Sequence, residues 1–421
     1  MCAMKICVIG AGSPYTPEIL ERLSEMREAL PVSEIMLMDI NEKRLDIIHS
    51  FCGRFAKQLG FDVRITRTAD RKEAIAGSTF VNTQIRVGGN EARVLDEHIP
   101  LSMGFVGQET TGAGGFMKGL RTIPAMLEIA RDVEQLAPEA WIINYTNPTG
   151  LVAEAVNTHT KAKIAGLCAG GLFAQQWVSD ALGVKPESVR YDFAGLNHMN
   201  FSYNISVNGK PLTDDEFAKA AAQVGSVDAE LIIKLRALPS PYLQYYYHTA
   251  RKVESMKAAG KTRGEEVMEI EKQIYEDFAN PDICTKPQSL AKRGGGGYAA
   301  VATMVMDGIY NNRDTWAVVN VPNHGVLPFL PEDAVIETPC MVNASGITPL
   351  ALGRSPKGVW GLIAAVKNYE QLAVEAAVTG CRDTALLALT AHPLVKDYDK
   401  AKELLARMLE GNKQYLPQFF Q

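Results

Sequence analysis

The stretch Ile164–Gly171, IAGLCAGG, sets one thiol, Cys168, among small residues at the end of a run that reads as a buried strand. Further along, GLNHMNF sets one imidazole, His198, between strand-like runs. Taken singly, a free cysteine is commonly a core residue and a lone histidine is more often a hydrogen-bonded structural group than a metal ligand. QIRVGGNEARVLDEHIP offers Arg86 and Arg93, whose guanidinium forks suit a phosphate, although a structural ion pair is the usual fate of an arginine. PSPYLQYYYH brings Tyr242 together with Tyr245, Tyr246 and Tyr247, the last three reading as an aromatic helix face packed in the core. Asn147, in NYTNPTG, carries an amide able both to donate to and to accept from a hydroxyl.

KICVIGAGSPYTPEIL has the form strand, Gly10-x-Gly12, helix, and Asp39 closes the next strand-like run, IMLMD. Two such glycines permit a tight turn and let backbone approach a pyrophosphate at the helix N-terminus, while the acid can accept from an adenosine ribose. The pattern points to a dinucleotide, and Asp39 favours NAD because it would repel a 2′-phosphate. Tyr15 stands where the full fingerprint has its third glycine.

The elements that must position these residues are legible as alternation. From Met4 to about Phe193, short β-branched runs (KICVIG, EIMLMD, FDVRITRT, TFVNTQI, AWIINYTNP, KIAGLC) alternate with helical stretches, which predicts a doubly wound parallel sheet of Rossmann type. Asn41 can cap the helix that follows Asp39, and Gly60 can end it. After about Tyr191 the texture changes to strand-like segments with an Asn208–Gly209 turn, then long helices, the glycine run Gly294–Gly297 and a proline-rich piece, VNVPNHGVLPFLPEDAVIETP. The expected division is a nucleotide-binding domain over 1–193 and an α+β domain over 194–421 packed directly against it.

The 421 residues suffice for two such domains, and 47% apolar and 22% charged residues are those of an ordinary globular protein. A net charge of −5 gives no reason to expect nucleic acid or an anionic membrane as partner. No apolar run reaches the roughly 18 residues of a membrane span, and the start from Met1 lacks the pattern of a signal peptide. The cysteines (Cys2, Cys7, Cys52, Cys168, Cys284, Cys340, Cys381) are scattered and odd in number, so a reducing cytoplasm is expected.

Several ordered motifs are far more specific than the glycine loop. GSPYTPE (Gly12–Glu18), GQETTGAGGF (Gly107–Phe116), NYTNPTG (Asn144–Gly150), GLC (Gly166–Cys168), GLNHMNF (Gly195–Phe201) and LTAHPLV (Leu389–Val395) together resemble glycoside hydrolase family 4 along essentially the whole chain. The resemblance implies a lactate/malate-dehydrogenase-like nucleotide domain, NAD and Mn²⁺ or another divalent metal as cofactors, and a dimer or tetramer. It implies metal ligation by Cys168 and His198, cofactor contacts from Gly10, Gly12, Ser13, Tyr15, Asp39, Glu109 and Asn147, and substrate contacts from Arg86, Arg93, Asn147, Asn197 and Arg263. The implied reaction is glycoside cleavage through oxidation at C3 of the sugar, proton removal at C2, elimination at C1, water addition and re-reduction, unlike the two-carboxylate route of most glycosidases. Tyr242 matches the base, and a phenol with a pKa near 10 needs a nearby cation, for which the metal and Arg263 are candidates.

One position departs from the family. Next to the cysteine, enzymes acting on 6-phospho-α-glucosides carry Asp, the β-specific ones Asn, and those acting on unphosphorylated α-glycosides His; here it is Ala169. Alanine cannot protonate a leaving group, so a 6-phospho-β-glucosidase is favoured, with a 6-phospho-galactoside, an unphosphorylated glycoside or a uronide as other substrates to weigh. Outside that reading stand a 2-hydroxyacid dehydrogenase, which net NADH production would reveal, and a non-catalytic sensor of NAD or sugar phosphate.

Overall fold

The computed structural model describes residues 4–293 and 297–421, so Cys2 and the first three glycines of the run at 294–297 lie outside the described residues. Six short runs, all but the polar β3 largely apolar, become parallel strands: β1 (Met4–Ile9), β2 (Val32–Met38), β3 (Arg64–Thr68), β4 (Phe80–Thr83), β5 (Trp141–Asn144) and β6 (Lys163–Gly166). Their spatial order, β6-β5-β4-β1-β2-β3, is that of a doubly wound nucleotide fold. Strands covered on both faces are apolar throughout, and in β1 all but Lys5 are buried.

The crossovers are amphipathic helices with visible start and stop chemistry. Asn41 accepts from the Arg44 N–H at 3.1 Å and opens the helix Glu42–Gln58, which buries Leu45, Ile48, Phe51, Cys52 and Phe55 on one face. Gly60, at φ +61°, turns the chain away. The helix Gly112–Leu136 is buried over most of its length and begins GAGGF for a steric reason. A Cβ on Gly114 would stand 2.3 Å from the Gln108 carbonyl oxygen, so only glycine lets the loop carrying Glu109 and Thr110 lie against the helix.

The remaining strands are β7 (Val189–Leu196), β8 (Met199–Val207), β9 (Lys210–Pro211), β10 (Leu238–Pro239), β11 (Thr315–Pro322), β12 (Val335–Asn343) and β13 (Gly346–Pro349). They continue the same sheet as β10-β8-β7-β12-β11-β6, paired antiparallel, with β9 on β8 and β13 on β12. Both halves of the chain thus share one sheet, and β7 runs across the 193/194 division. The proline-rich piece supplies the ends of β11 and β12, which pair in unbroken register from Thr315 to Pro322.

The Asn-Gly pair does turn the chain, but only from β8 into the short β9. The long hairpin β7–β8 reverses instead at Asn197–His198, between the paired Leu196 and Met199. His198 takes φ +63° there, a left-handed conformation that no glycine advertises in the sequence.

Candidate active site

β1 ends where the strand order reverses, between β1 and β4, the place at which open α/β sheets leave a crevice. A cavity of about 960 Å³ opens there. Gly12 gives its N–H to Asp39 Oδ2 at 2.8 Å, and Asn41 gives its own to Oδ1 at 2.8 Å. Each carboxylate oxygen has a second lone pair, so Asp39, fixed by backbone, can still accept from a ribose. A Cβ on Gly12 would sit 2.8 Å from Asp39 Oδ2, and Gly10, at φ +86°, carries the turn itself. Ser13 Oγ accepts from the Tyr15 N–H at 3.3 Å, and Tyr15 caps the helix Thr16–Glu25. The Tyr15 ring meets the Arg293 guanidinium at 4.5 Å from the ring centroid.

One wall of the cavity is a single helix face. The helix Arg263–Ala279 opens with a capping box between Thr262 and Glu265, and Arg263, Val267, Glu271 and Tyr275, at four-residue steps, line the cavity. The Tyr275 hydroxyl donates to the Gly12 carbonyl at 2.6 Å. Arg263 gives Nη1 to Glu266 at 2.8 Å and Nη2 to the Arg293 carbonyl at 2.9 Å.

Opposite lies a half-buried charge cluster. Glu109 pairs with Arg86, with Lys118 at 2.8 Å and with Arg93 at 3.2 Å, while Arg93 also holds Glu97 at 2.8 Å. Although burial opposes it, the three cations hold the Glu109 carboxyl well below the usual carboxylate range. Burial, then the Arg86 charge, pulls the Lys118 ammonium down to about 7. Both arginines therefore do form ion pairs, yet Arg86, Arg93 and Lys118 all line the cavity beside the single carboxylate of Glu109.

The far end is aromatic. The Tyr242 ring stacks on His198 with centroids 3.8 Å apart and planes within 5°. Burial and the Lys118 charge push the His198 imidazole down to about 3, so it stays neutral with a lone pair available. Cys168, at 9% exposed, is close enough to push up the hydroxyls of both Tyr242 and Tyr298. Burial drives the Tyr242 hydroxyl upward, Cys168, Glu109 and Tyr245 add to the rise, and a hydrogen bond with Thr110 opposes it. Asn147 lines the cavity and its side chain hydrogen-bonds Tyr298. Asn197 lines a small pocket that adjoins the cavity and shares Thr110 and His198 with it, and its amide donates to the buried Glu337 carboxylate at 3.4 Å.

Thr110, Lys118 and Tyr298 belong to the site and were not singled out from the sequence. A signal existed for two of them. Lys118 is a lone charge inside the otherwise small and apolar GAGGFMKGL, which a buried helix tolerates only with a partner, and Tyr298 directly follows the glycine run. Of the other cysteines, Cys7, Cys52 and Cys340 are buried core thiols, while Cys284 is partly and Cys381 fully exposed.

Comparison with known proteins decides the family. The model of the family 4 glycosyl hydrolases matches residues 5–184, and that of the family 4 glycosyl hydrolase C-terminal domain matches residues 193–395. The chain belongs to the family 4 glycosyl hydrolases. Within that family it is 40% identical to a probable 6-phospho-β-glucosidase of Bacillus subtilis (strain 168), over 99% of this chain and 98% of that one. It is likewise 40% identical to the 6-phospho-β-glucosidase of Escherichia coli (strain K12), over 99% and 97%. The solved 6-phospho-β-glucosidase of Thermotoga maritima, with manganese, NAD⁺ and glucose-6-phosphate, superposes with a TM-score of 0.91 at 32% identity, covering 98% of this chain and 99% of that one. A malate dehydrogenase from Plasmodium falciparum matches at TM-score 0.55 and 17% identity, over 91% of this chain and 99% of that one, which speaks for the fold alone.

The residues of this family 4 chain fit the cofactors of such enzymes. Among the described residues no group of three or more His, Cys, Asp or Glu side chains gathers to hold a metal. A metal here would take Cys168 and His198 as its protein ligands and leave positions open for water and substrate, as Lewis-acid chemistry requires. For the dinucleotide, the Gly12 cradle that a Cβ would fill and the backbone-fixed Asp39 are the matching features. None of the described helices is long and apolar enough to cross a membrane.

Proposed function

We propose that the protein hydrolyses 6-phospho-β-glucosides, using NAD⁺ and a divalent metal, Mn²⁺ foremost. The observation that carries this is one continuous cavity joining Asp39 at the ribose end to His198 and Tyr242 at the other, so a nucleotide and a sugar can meet in it. When bound, NAD⁺ accepts and returns a hydride at the sugar, and the divalent cation adds the positive charge that the Tyr242 hydroxyl and the sugar oxygens otherwise lack. The chain does the rest. Asp39 and the Gly10–Gly12 turn hold ribose and pyrophosphate. Arg86 and Arg93, with Lys118, hold the sugar's 6-phosphate through their N–H donors, and Asn147 orients a hydroxyl. Tyr242, held by Thr110 and His198, takes the proton from C2, and its burial keeps bulk water from competing for it.

Ala169, which offers no acid to an α-linked leaving group, and the β-specificity of the two relatives at 40% identity both support the β linkage. We read 1–193 as the nucleotide half and 194–421 as the metal and substrate half of a cytoplasmic dimer or tetramer, a setting whose reducing conditions would protect a thiolate ligand. The test is a panel of α- and β-linked aryl glucosides and galactosides, each with and without a 6-phosphate, assayed with NAD⁺, Mn²⁺ and a thiol reductant. Cleavage confined to the β-linked 6-phosphoglucoside, lost with a chelator, restored by Mn²⁺ and producing no net NADH, is the expected result. Full-speed cleavage by protein stripped of nicotinamide, or cofactor binding without cleavage of any sugar, overturns the reading.

A further inference from the structure

We propose that Glu337 is a positioning residue for the metal site, a clamp that fixes the spacing of the two chain segments carrying Cys168 and His198. The inference rests on the assignment of those two residues as metal ligands and adds a group that touches neither.

The two ligands come from places far apart in the sheet. Cys168 lies just beyond the end of β6 and His198 in the β7–β8 turn, and the strands β11 and β12 separate them. The joints on either side of β11 and β12 are minimal. β11 meets β6 through the single registered pair Asn320–Gly166, and β12 meets β7 through the single pair Glu337–Gly195. Backbone pairing alone thus leaves each joint free to hinge.

Side chains supply what the ladders do not. Glu337, fully buried, accepts from Asn200 Nδ2 at 2.6 Å on one oxygen, and from Asn320 Nδ2 at 3.3 Å and Asn197 Nδ2 at 3.4 Å on the other. Asn197 is the neighbour of His198, and Asn200 also reaches back to the Leu196 carbonyl at 3.4 Å, so the turn is held from both strands. On the other side Asn320 Nδ2 donates to the Gly166 carbonyl at 3.0 Å, two residues before Cys168. A Cβ on Gly166 would stand 2.9 Å from the Asn320 Cβ, which is how closely that arm is seated. One carboxylate therefore ties both arms through neutral amides. A carboxylate suits the task because it only accepts, whereas a glutamine would set its own donor against three others. Leaving a charged group unpaired with a cation in the interior is costly, so the residue requires an explanation that packing does not give. Burial pushes the Glu337 carboxyl up to about 7, in keeping with that cost.

The experiment uses NAD⁺-loaded full-length protein and reads Mn²⁺ affinity from the paramagnetic resonance of free Mn²⁺, with NAD⁺ affinity and melting temperature measured beside it. Glu337→Gln is expected to weaken Mn²⁺ binding about ten- to a hundredfold, the range for groups that orient metal ligands without touching the metal. NAD⁺ affinity is expected to stay within about twofold of wild type, and Glu337→Asp to lie between the two. Unchanged Mn²⁺ affinity in folded Glu337→Gln overturns the clamp, and so does parallel loss of Mn²⁺ and NAD⁺ binding, which marks general destabilisation. Should Glu337→Gln not fold, Asn320→Ala, which cuts only the β6 side, is judged by the same two readouts. Cys168→Ala in the same assay separates the layers: loss of Mn²⁺ binding there with none in Glu337→Gln removes the clamp alone, whereas retention in both removes the ligand assignment and the clamp with it.

Discussion

The two ends of the cavity are built on different principles. At the nucleotide end, β1, β2 and β4 pair along whole strands, and Asp39 is held by two backbone amides. At the end proposed for the metal, the strands leading to Cys168 and His198 are joined to β11 and β12 by one registered pair each, and side-chain amides around one buried carboxylate complete the joint. Backbone order is redundant, because losing one bond leaves its neighbours in register. Order supplied by side chains is not. The nucleotide end should therefore tolerate change everywhere except where an atom would occupy ligand space, while the metal end should respond to single polar substitutions some distance from the chemistry.

The sharpest break falls on the metal end alone. Tyr242→Phe keeps the ring that stacks on His198 and removes only the hydroxyl. Turnover is expected to fall about a thousandfold, within the usual range for losing a general base. Exchange of the C2 proton with solvent deuterium should vanish, while NAD⁺ titration stays at wild-type affinity. Persistent exchange would take Tyr242 out of the reaction.

The converse break is Gly12→Ala. Its Cβ would press on Asp39 Oδ2 at 2.8 Å, an overpacking cost of about 1–3 kcal/mol, so NAD⁺ affinity should drop about tenfold to a hundredfold. Mn²⁺ affinity should not move, and a matched fall in both would mean that the two ends are not independent. A smaller effect probes the charge cluster between them. Arg86→Gln is expected to raise KM for a 6-phosphoglucoside about tenfold and to leave the unphosphorylated sugar unaffected; an equal change for both sugars would assign Arg86 to Glu109 alone.

The smallest effect is one of stability. Folding raises the Glu337 carboxyl from its ordinary 4.5 to about 7. The folded state then holds this proton more tightly than the unfolded chain does, so the contribution is complete below about pH 4 and is lost as pH climbs through 7. Melting temperature should decline over that interval in wild type relative to Glu337→Gln, by a few degrees, and parallel curves would refute the assignment.

The nucleotide half was legible for the reason that makes it robust. Its strands are continuous apolar runs, its glycines answer to steric demands, and Asn41 caps a helix with local chemistry that a short window of sequence contains. Cys168, His198, Tyr242 and the arginines were found through motifs, each within a few adjacent residues. Glu337 could not be found this way, since its role exists only where Asn197, Asn200 and Asn320 converge, and it sits in a proline-rich stretch that does not read as strand. The turn at Asn197–His198 was missed because a non-glycine residue in a left-handed conformation leaves no trace in composition.

The helix Arg263–Ala279 reaches from Arg263 on the cavity wall to the tyrosine that touches the glycine turn, twelve residues and about 18 Å along a rigid rod. It works as a gauge block: the span of this cavity wall is set by its length and cannot be reset by editing a loop. Adding a single residue within it would swing Tyr275 by about 100° away from Gly12. Any redesign of this scaffold for a bulkier sugar has to find its room on the other walls.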